Sequence, residues 1–324
     1  MQATRTGKRK RPAEEVSACQ DHRKRRKSPE RGRKRSFEER ETPILDNNIL
    51  GPSYCIDPSN KKALQAALDH ARRSTSPSRY PDSNFESFTK ANYQAQNESE
   101  LVSKVVHPFF TSYFGHPSST DLAFTTLEPA VPAPYKMPVP KPDHSFGAAK
   151  QDINPSVRQS LGKYIVRAPG AHAPVAVNDI MQVKGPDGKA SVLQSQVTLD
   201  GAVGERAIHK LRSFAKGSEC VADSKARAFV QSYHAGTMKF YATHRRPNPS
   251  GGPDQIVTSE IGGQYLCGSP AQLRDGIAKY RNSVQLATQH RERAIQAANA
   301  RARDESGDEP TDSDEHDEFH DVAG

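Results

Sequence analysis

Apolar positions recur at helical and strand spacing in an order that suggests one folded unit. Leu64 and Leu68, one turn apart, predict a short amphipathic helix near residues 60–73, broken by the Ser-Thr-Ser-Pro-Ser run from Ser74. Leu101, Val105, Val106, Phe109 and Phe110 predict a longer helix from about residue 97, ended by Gly115 and Pro117. Six prolines in the fifteen positions 128–142 forbid helix and predict an extended connector. Strand-like runs follow at 141–148, 163–167 and 173–184, the last closed by the Gly-Pro-Asp-Gly turn at 185–188. Leu199, Val203, Ala207 and Leu211 then mark a helix over 191–214. Two strands, 226–234 and 237–244, meet at Ala235-Gly236 as a hairpin, and a further strand covers 255–267. Pro270 opens a long final helix with Leu273, Ile277, Tyr280, Val284 and Ala287 on one stripe. This order predicts an α/β fold, a mixed-sheet sandwich over residues 85–303. Residues 1–84 are expected to be a disordered basic arm carrying only the helix near 60–73, and 304–324 a disordered acidic tail.

Composition supports the long tails. Only 34% of the 324 residues are apolar, 24 are proline and none is tryptophan; an ordinary globular chain is roughly 45–50% apolar. No apolar run is long enough for a membrane helix, so no membrane partner is expected, and the opening residues lack the apolar stretch of a secretory signal. Cys19, Cys55, Cys220 and Cys267 are scattered without CxxC spacing, which argues against a disulfide scaffold or a zinc finger and for reduced thiols.

The net charge of +8 is unevenly spread. Residues 1–41 hold 15 Lys and Arg against 7 acids, and residues 304–324 hold ten acids with no Lys or Arg. The middle, 42–303, keeps 31 bases against 21 acids. A domain basic in its own right attracts polyanions, nucleic acid first among them. Within the arm, Lys8–Arg11 and Arg23–Lys27 are separated by eleven residues, with a third cluster ending at Arg35. That pattern matches a bipartite import signal, so a nuclear import receptor acting on residues 8–35 and a nuclear location are expected.

The candidate chemistry lies in the middle segment. Asp143 follows Pro142 at the start of a predicted strand; Gln182 and Lys184 end another; Gln194 and Gln196 follow on a helix. Positions two apart on a strand share a face, so Gln182 and Lys184 project together, and Asp143 can reach them from the neighbouring strand. Asp179, three positions from Gln182, falls on the opposite face. His234, His244, Tyr233, Phe240 and Tyr241 border the hairpin, where the aromatic rings can stack bases or serve as core. There is no GxGxxG, no Walker loop and no GxSxG.

The runs KPDHSFG, VKGPDGKASVLQSQVTLDGAVGERAIHKLRSF, YHAGTMKFYATH and GSPAQLRDGIAKYRNSVQLATQHRERAIQAAN resemble a fungal domain of unknown function, over about residues 95–300, that is remotely similar to PD-(D/E)XK nucleases. The resemblance implies a restriction-endonuclease-like fold. It also implies a helix acid (Glu98 or Glu100), the Asp143 carboxylate, the lysine Lys184 and the helix glutamine Gln196. One position departs from the pattern: Gln182 stands where the family has Glu or Asp. Mg²⁺ is a hard ion held by carboxylates, phosphates and water, and an amide keeps an oxygen but loses the charge. The resemblance therefore implies Asp143 with Glu98 or Glu100 as metal ligands, and Mg²⁺ binding that is weak or absent. The expected function is that of a nuclear protein associated with nucleic acid, DNA first, through a degenerate nuclease-like domain. An active Mg²⁺-dependent nuclease, or a chromatin adaptor working through its charged tails, are the alternatives.

Overall fold

The computed structural model describes residues 38–306 except Ala171. The import clusters and nearly all of the acidic tail lie outside the described residues. In chain order the elements are α1 (Glu38–Asp46), β1 (Ile49–Leu50), α2 (Lys61–Leu68), α3 (Ser83–Gln94) and α4 (Glu98–Leu101), which runs through a π-helical turn into α5 (His107–Phe109). Next come β2 (Ser118–Thr120), β3 (His144–Ala148), α6 (Pro155–Ile165), β4 (Val175–Lys184) and α7 (Ala190–Lys216). The hairpin strands β5 (Ala228–His234) and β6 (Thr237–Arg246), then β7 (Gln255–Tyr265) and α8 (Pro270–Ser306), complete the chain.

The strands form one seven-stranded mixed sheet in the order β1-β7-β6-β5-β4-β3-β2. β2, β3 and β4 are an antiparallel meander; β4 then pairs in parallel with β5, and α7 makes the crossover that a parallel pair requires. Side chains alternate between two helical layers. Ile180, Val230 and Tyr241 pack against Leu193, Val197 and Val203 of α7. Met181, Val183, Phe229, Tyr233 and Phe240 pack on the other face against Leu273, Ile277, Tyr280 and Val284 of α8, with Leu64, Leu68, Phe88 and Phe110. β4 is buried along its whole length, as expected of a strand covered on both faces. The α/β sandwich with a mixed sheet is thus observed.

Three parts of the sequence reading are corrected. First, residues 38–84 are not an arm with a single helix. Ile44 and Ile49 are 3% and 1% exposed and pack with Leu199, Ala202 and Ile256. Segment 48–65 also runs along β7: Asn48 O accepts from Ile256 N at 2.9 Å, and Gln65 Nε2 donates to Ile261 O at 3.1 Å. Second, residues 163–167 are not a strand. Asn154 caps α6 by accepting from Ser156 N at 2.9 Å, Pro155 sits at its first position, and Val157, Leu161 and Ile165 bury one face at four-residue steps. Third, α8 continues to Ser306, past the expected start of the tail.

Two glycines set how closely α7 lies on the sheet. A Cβ on Gly201 would stand 2.7 Å from Thr258 Oγ1 and clash with Thr243 Oγ1, and one on Gly204 would stand 3.3 Å from Asn178 Cα. The two threonine hydroxyls bond each other at 2.9 Å beneath the helix.

Candidate functional site

The C-terminal end of β4 gathers the charged groups. His144 pairs with Met181, which sets Asp143 beside Gln182 at the mouth of the β3–β4 ladder. Asp143 Oδ2 accepts from the Val183 N–H at 2.7 Å. Gln182, 1% exposed, faces α7 and donates from Nε2 to Asp200 Oδ2 at 2.6 Å, while its Oε1 is buried without a hydrogen-bond partner. Lys184, 7% exposed, donates to Glu98 Oε2 and to Val183 O, both at 2.8 Å.

Local sequence explains the Lys184–Glu98 contact. Asn97 caps α4 by accepting from Glu100 N at 3.0 Å, which puts Glu98 in the first helical turn. The turn after β4 closes with Gly188 N donating to Gly185 O at 2.8 Å. A Cβ on Gly185 would stand 3.0 Å from Glu98 N, and one on Gly188 would stand 2.6 Å from Lys184 Cβ, so both glycines permit the close approach of strand end and helix start.

The structure thus brings together Glu98, Asp143, Gln182 and Lys184. Glu100 is not among them: it accepts from Gln96 N at 3.1 Å and pairs with Lys104 at 3.2 Å. Gln196 is on α7 one turn before Asp200, with its Oε1 buried and unpartnered. Asp179 faces α8, where it accepts from Gln231 Nε2 at 3.0 Å, and Asp187 is exposed in the turn. Tyr233 and Phe240 are core residues; Tyr241 belongs to the core under α7 and also borders a cavity. His244 is buried with both ring nitrogens unpartnered, and burial lowers its pKa to about 4.

Asp200 is the member that sequence reasoning misses. It sits in an otherwise apolar stretch of α7 and is 1% exposed. The available signal was its four-residue step from Gln196, which puts the two on one helix face. Burial pushes the Asp200 carboxyl up to about 7; the Gln182 amide opposes that rise, and the charge of Asp143 adds to it. Burial likewise raises Asp143 to about 6, against the pull of the Val183 N–H.

Each of the three carboxylates already has an oxygen bound to a donor: Lys184, the Val183 amide or the Gln182 amide. Among the described residues no group of three or more His, Cys, Asp or Glu is placed to hold a metal ion. One oxygen of each carboxylate is thereby committed, and at position 182 an amide without charge stands where a hard divalent cation would gain from a carboxylate. Lys184, paired among the described residues with a partly exposed Glu98, can instead meet an incoming anionic oxygen.

A pH dependence follows from Asp200. Folded Asp200 holds its proton up to about pH 7, against an ordinary 3.8, so the native state binds more protons than the unfolded chain across that interval. Its contribution to stability therefore falls as pH rises from about 4 to 7, by at most about 4 kcal/mol. Asp200→Asn keeps an acceptor for Gln182 and removes the titration. The melting temperature of Asp200→Asn relative to wild type should rise steadily between pH 4 and 8; a constant difference would show that Asp200 does not titrate in that range.

Comparison of the chain with protein-family models, with curated proteins and with solved structures gives no match in any of the three.

Proposed function

We propose that the chain is a nuclear, nucleic-acid-associated protein whose domain is a degenerate relative of the PD-(D/E)XK nucleases. The observation that carries this reading is the junction of Asp143, Gln182 and Lys184 at the end of β4, with the Gln182 amide tied to Asp200. Supporting it, the helix with Glu98, the strand after Asp143, the strand with Gln182 and Lys184, and the helix with Gln196 come in the order that the resemblance implies. The meander β2-β3-β4, followed by α7 and the parallel strand β5, is compatible with it.

In this reading Lys184 and the basic surface of residues 42–303 hold the phosphate backbone. Binding of the full chain to duplex DNA should weaken with salt, with a log–log slope of roughly −0.9 for each phosphate neutralised. A slope near zero, or no binding at about 50 mM salt, would remove nucleic acid as the partner.

Little or no cleavage is expected with Mg²⁺ or Mn²⁺, because the acid that would face Lys184 is an amide and the remaining carboxylates are engaged. Gln182→Glu should bind Mn²⁺ more tightly than wild type by isothermal titration. Equal binding would show that position 182 is not at a metal site. Wild-type cleavage abolished by Asp143→Ala would establish the enzyme alternative.

The nuclear part of the proposal rests on the basic clusters within residues 8–35. A fluorescent reporter carrying residues 1–40 should concentrate in nuclei, and a reporter that stays cytoplasmic would remove that part alone.

A further inference from the structure

Beside the Lys184 site is a cavity of about 520 Å³ on the same face of the sheet. The register shows how the two adjoin: in the parallel β4–β5 pair, Gln182 lies opposite Ser232 and Lys184 opposite His234. Across the hairpin Ser232 faces Lys239, and Tyr241 faces Glu260 on β7. Ser232, His234, Lys239, Tyr241 and Glu260 therefore form the floor of the cavity across β5, β6 and β7, and its nearest strand, β5, lies one strand spacing, about 4.8 Å, from β4 and Lys184. Leu193 and Gln194 of α7 form its roof, and Pro52 and Ser53 its far wall.

The lining restricts what can enter. Lys239 and Glu260 pair at 2.9 Å near the mouth, so the cavity has little net charge to offer a free anion. Hydroxyls, the Gln194 amide and that ion pair disfavour a purely apolar guest, whose entry would leave them unpaired. Leu193, Pro52 and the Tyr241 ring supply apolar surface between the polar groups. A flat, neutral ring system with donors and acceptors on its edge matches this mixture, and the volume lies within the roughly 300–1,000 Å³ of small-molecule sites.

We propose that the cavity receives an unpaired nucleobase of a strand whose phosphate lies against Lys184. The inference rests on the nucleic-acid reading above and adds to it a preference for single-stranded or locally opened nucleic acid. Gln194 supplies the hydrogen bonds to the base edge, Tyr241 and Leu193 its apolar contacts, and Lys184 the contact to the phosphate. Because the base and phosphate sites are on neighbouring strands of one sheet, a flipped-out nucleotide can occupy both, which a base held inside a duplex cannot.

The test is fluorescence anisotropy of the full-length protein with a labelled single-stranded oligonucleotide, the same strand with abasic sites throughout, and the paired duplex. The base-bearing strand should bind at least about fivefold more tightly than the abasic strand, as expected when one base contact is added. Gln194→Ala should reduce that preference and leave the affinity for the abasic strand unchanged. Lys184→Ala should weaken both strands together. Equal binding of base-bearing and abasic strands would overturn the cavity assignment while leaving the nucleic-acid reading intact. Binding of neither strand nor duplex would overturn both. If Gln194→Ala lowers the melting temperature enough to prevent measurement, the wild-type comparison of the two strands decides alone.

Discussion

Helix α7 approaches the sheet more closely than a side chain at position 201 allows, and much of the molecule depends on that approach. With no Cβ at Gly201, the helix backbone settles on the bonded pair Thr243 and Thr258. An added methyl there must move two buried threonines or the helix, a change of the kind that costs about 1–3 kcal/mol. The neighbouring residue, Asp200, is short, and only at this spacing does its carboxylate reach Gln182 on the strand below. The same helix roofs the cavity with Leu193 and Gln194, two turns nearer its start. Layer spacing, the buried carboxylate and the cavity are thus consequences of one close contact.

The opposite face of β4 carries a second set of buried polar groups with a different character. Asn178 donates to Arg227 O at 3.0 Å and to Ala287 O at 2.8 Å, and accepts from Arg291 Nη1 at 2.7 Å. Beside it Gln231 bridges Asp179 and Ser283, at 3.0 and 2.8 Å. These bonds tie α8 to the sheet and have no access to solvent, so they read as structural. Asp179 and Asp200 are both carboxyls that burial raises to about 7. They differ in their neighbours: Asp200 feels the charges of Asp143 and Lys184, whereas Asp179 feels that of Arg291.

The sequence made the middle of this fold legible because β4, α7, the β5–β6 hairpin, β7 and α8 have strong apolar periodicity and clear punctuation at Gly185–Gly188, Gly236 and Pro270. It was less informative where burial is shared among elements too short or too polar to show a period. α3 buries Phe88 fully but exposes most of its other residues, and β1 is two residues long. At 163–167, the β-branched and aromatic residues gave a strand signal although Asn154-Pro155 had already started a helix. In the site, Asp143, Gln182 and Lys184 could be read from strand parity and from the resemblance. Asp200 showed only as a four-residue step from Gln196, because a linear sequence does not say that a helix will lie close enough for an aspartate to bond across the layer.

Segment 48–65 has a bearing on solubility. β7 is the strand that would end the sheet, and its run from Ile256 to Ile261 is rich in β-branched residues and buried at every position but Glu260. β1 pairs with two of its residues, Ser259 Oγ binds Ile56 O, and Gln65 caps Ile261 O. An unguarded edge of this kind is a template for another chain's backbone. A fragment cut at residue 85, where apolar periodicity alone puts the domain boundary, would keep every strand from β2 to β7 and still lose the segment that keeps copies of the protein from adding to one another's sheets.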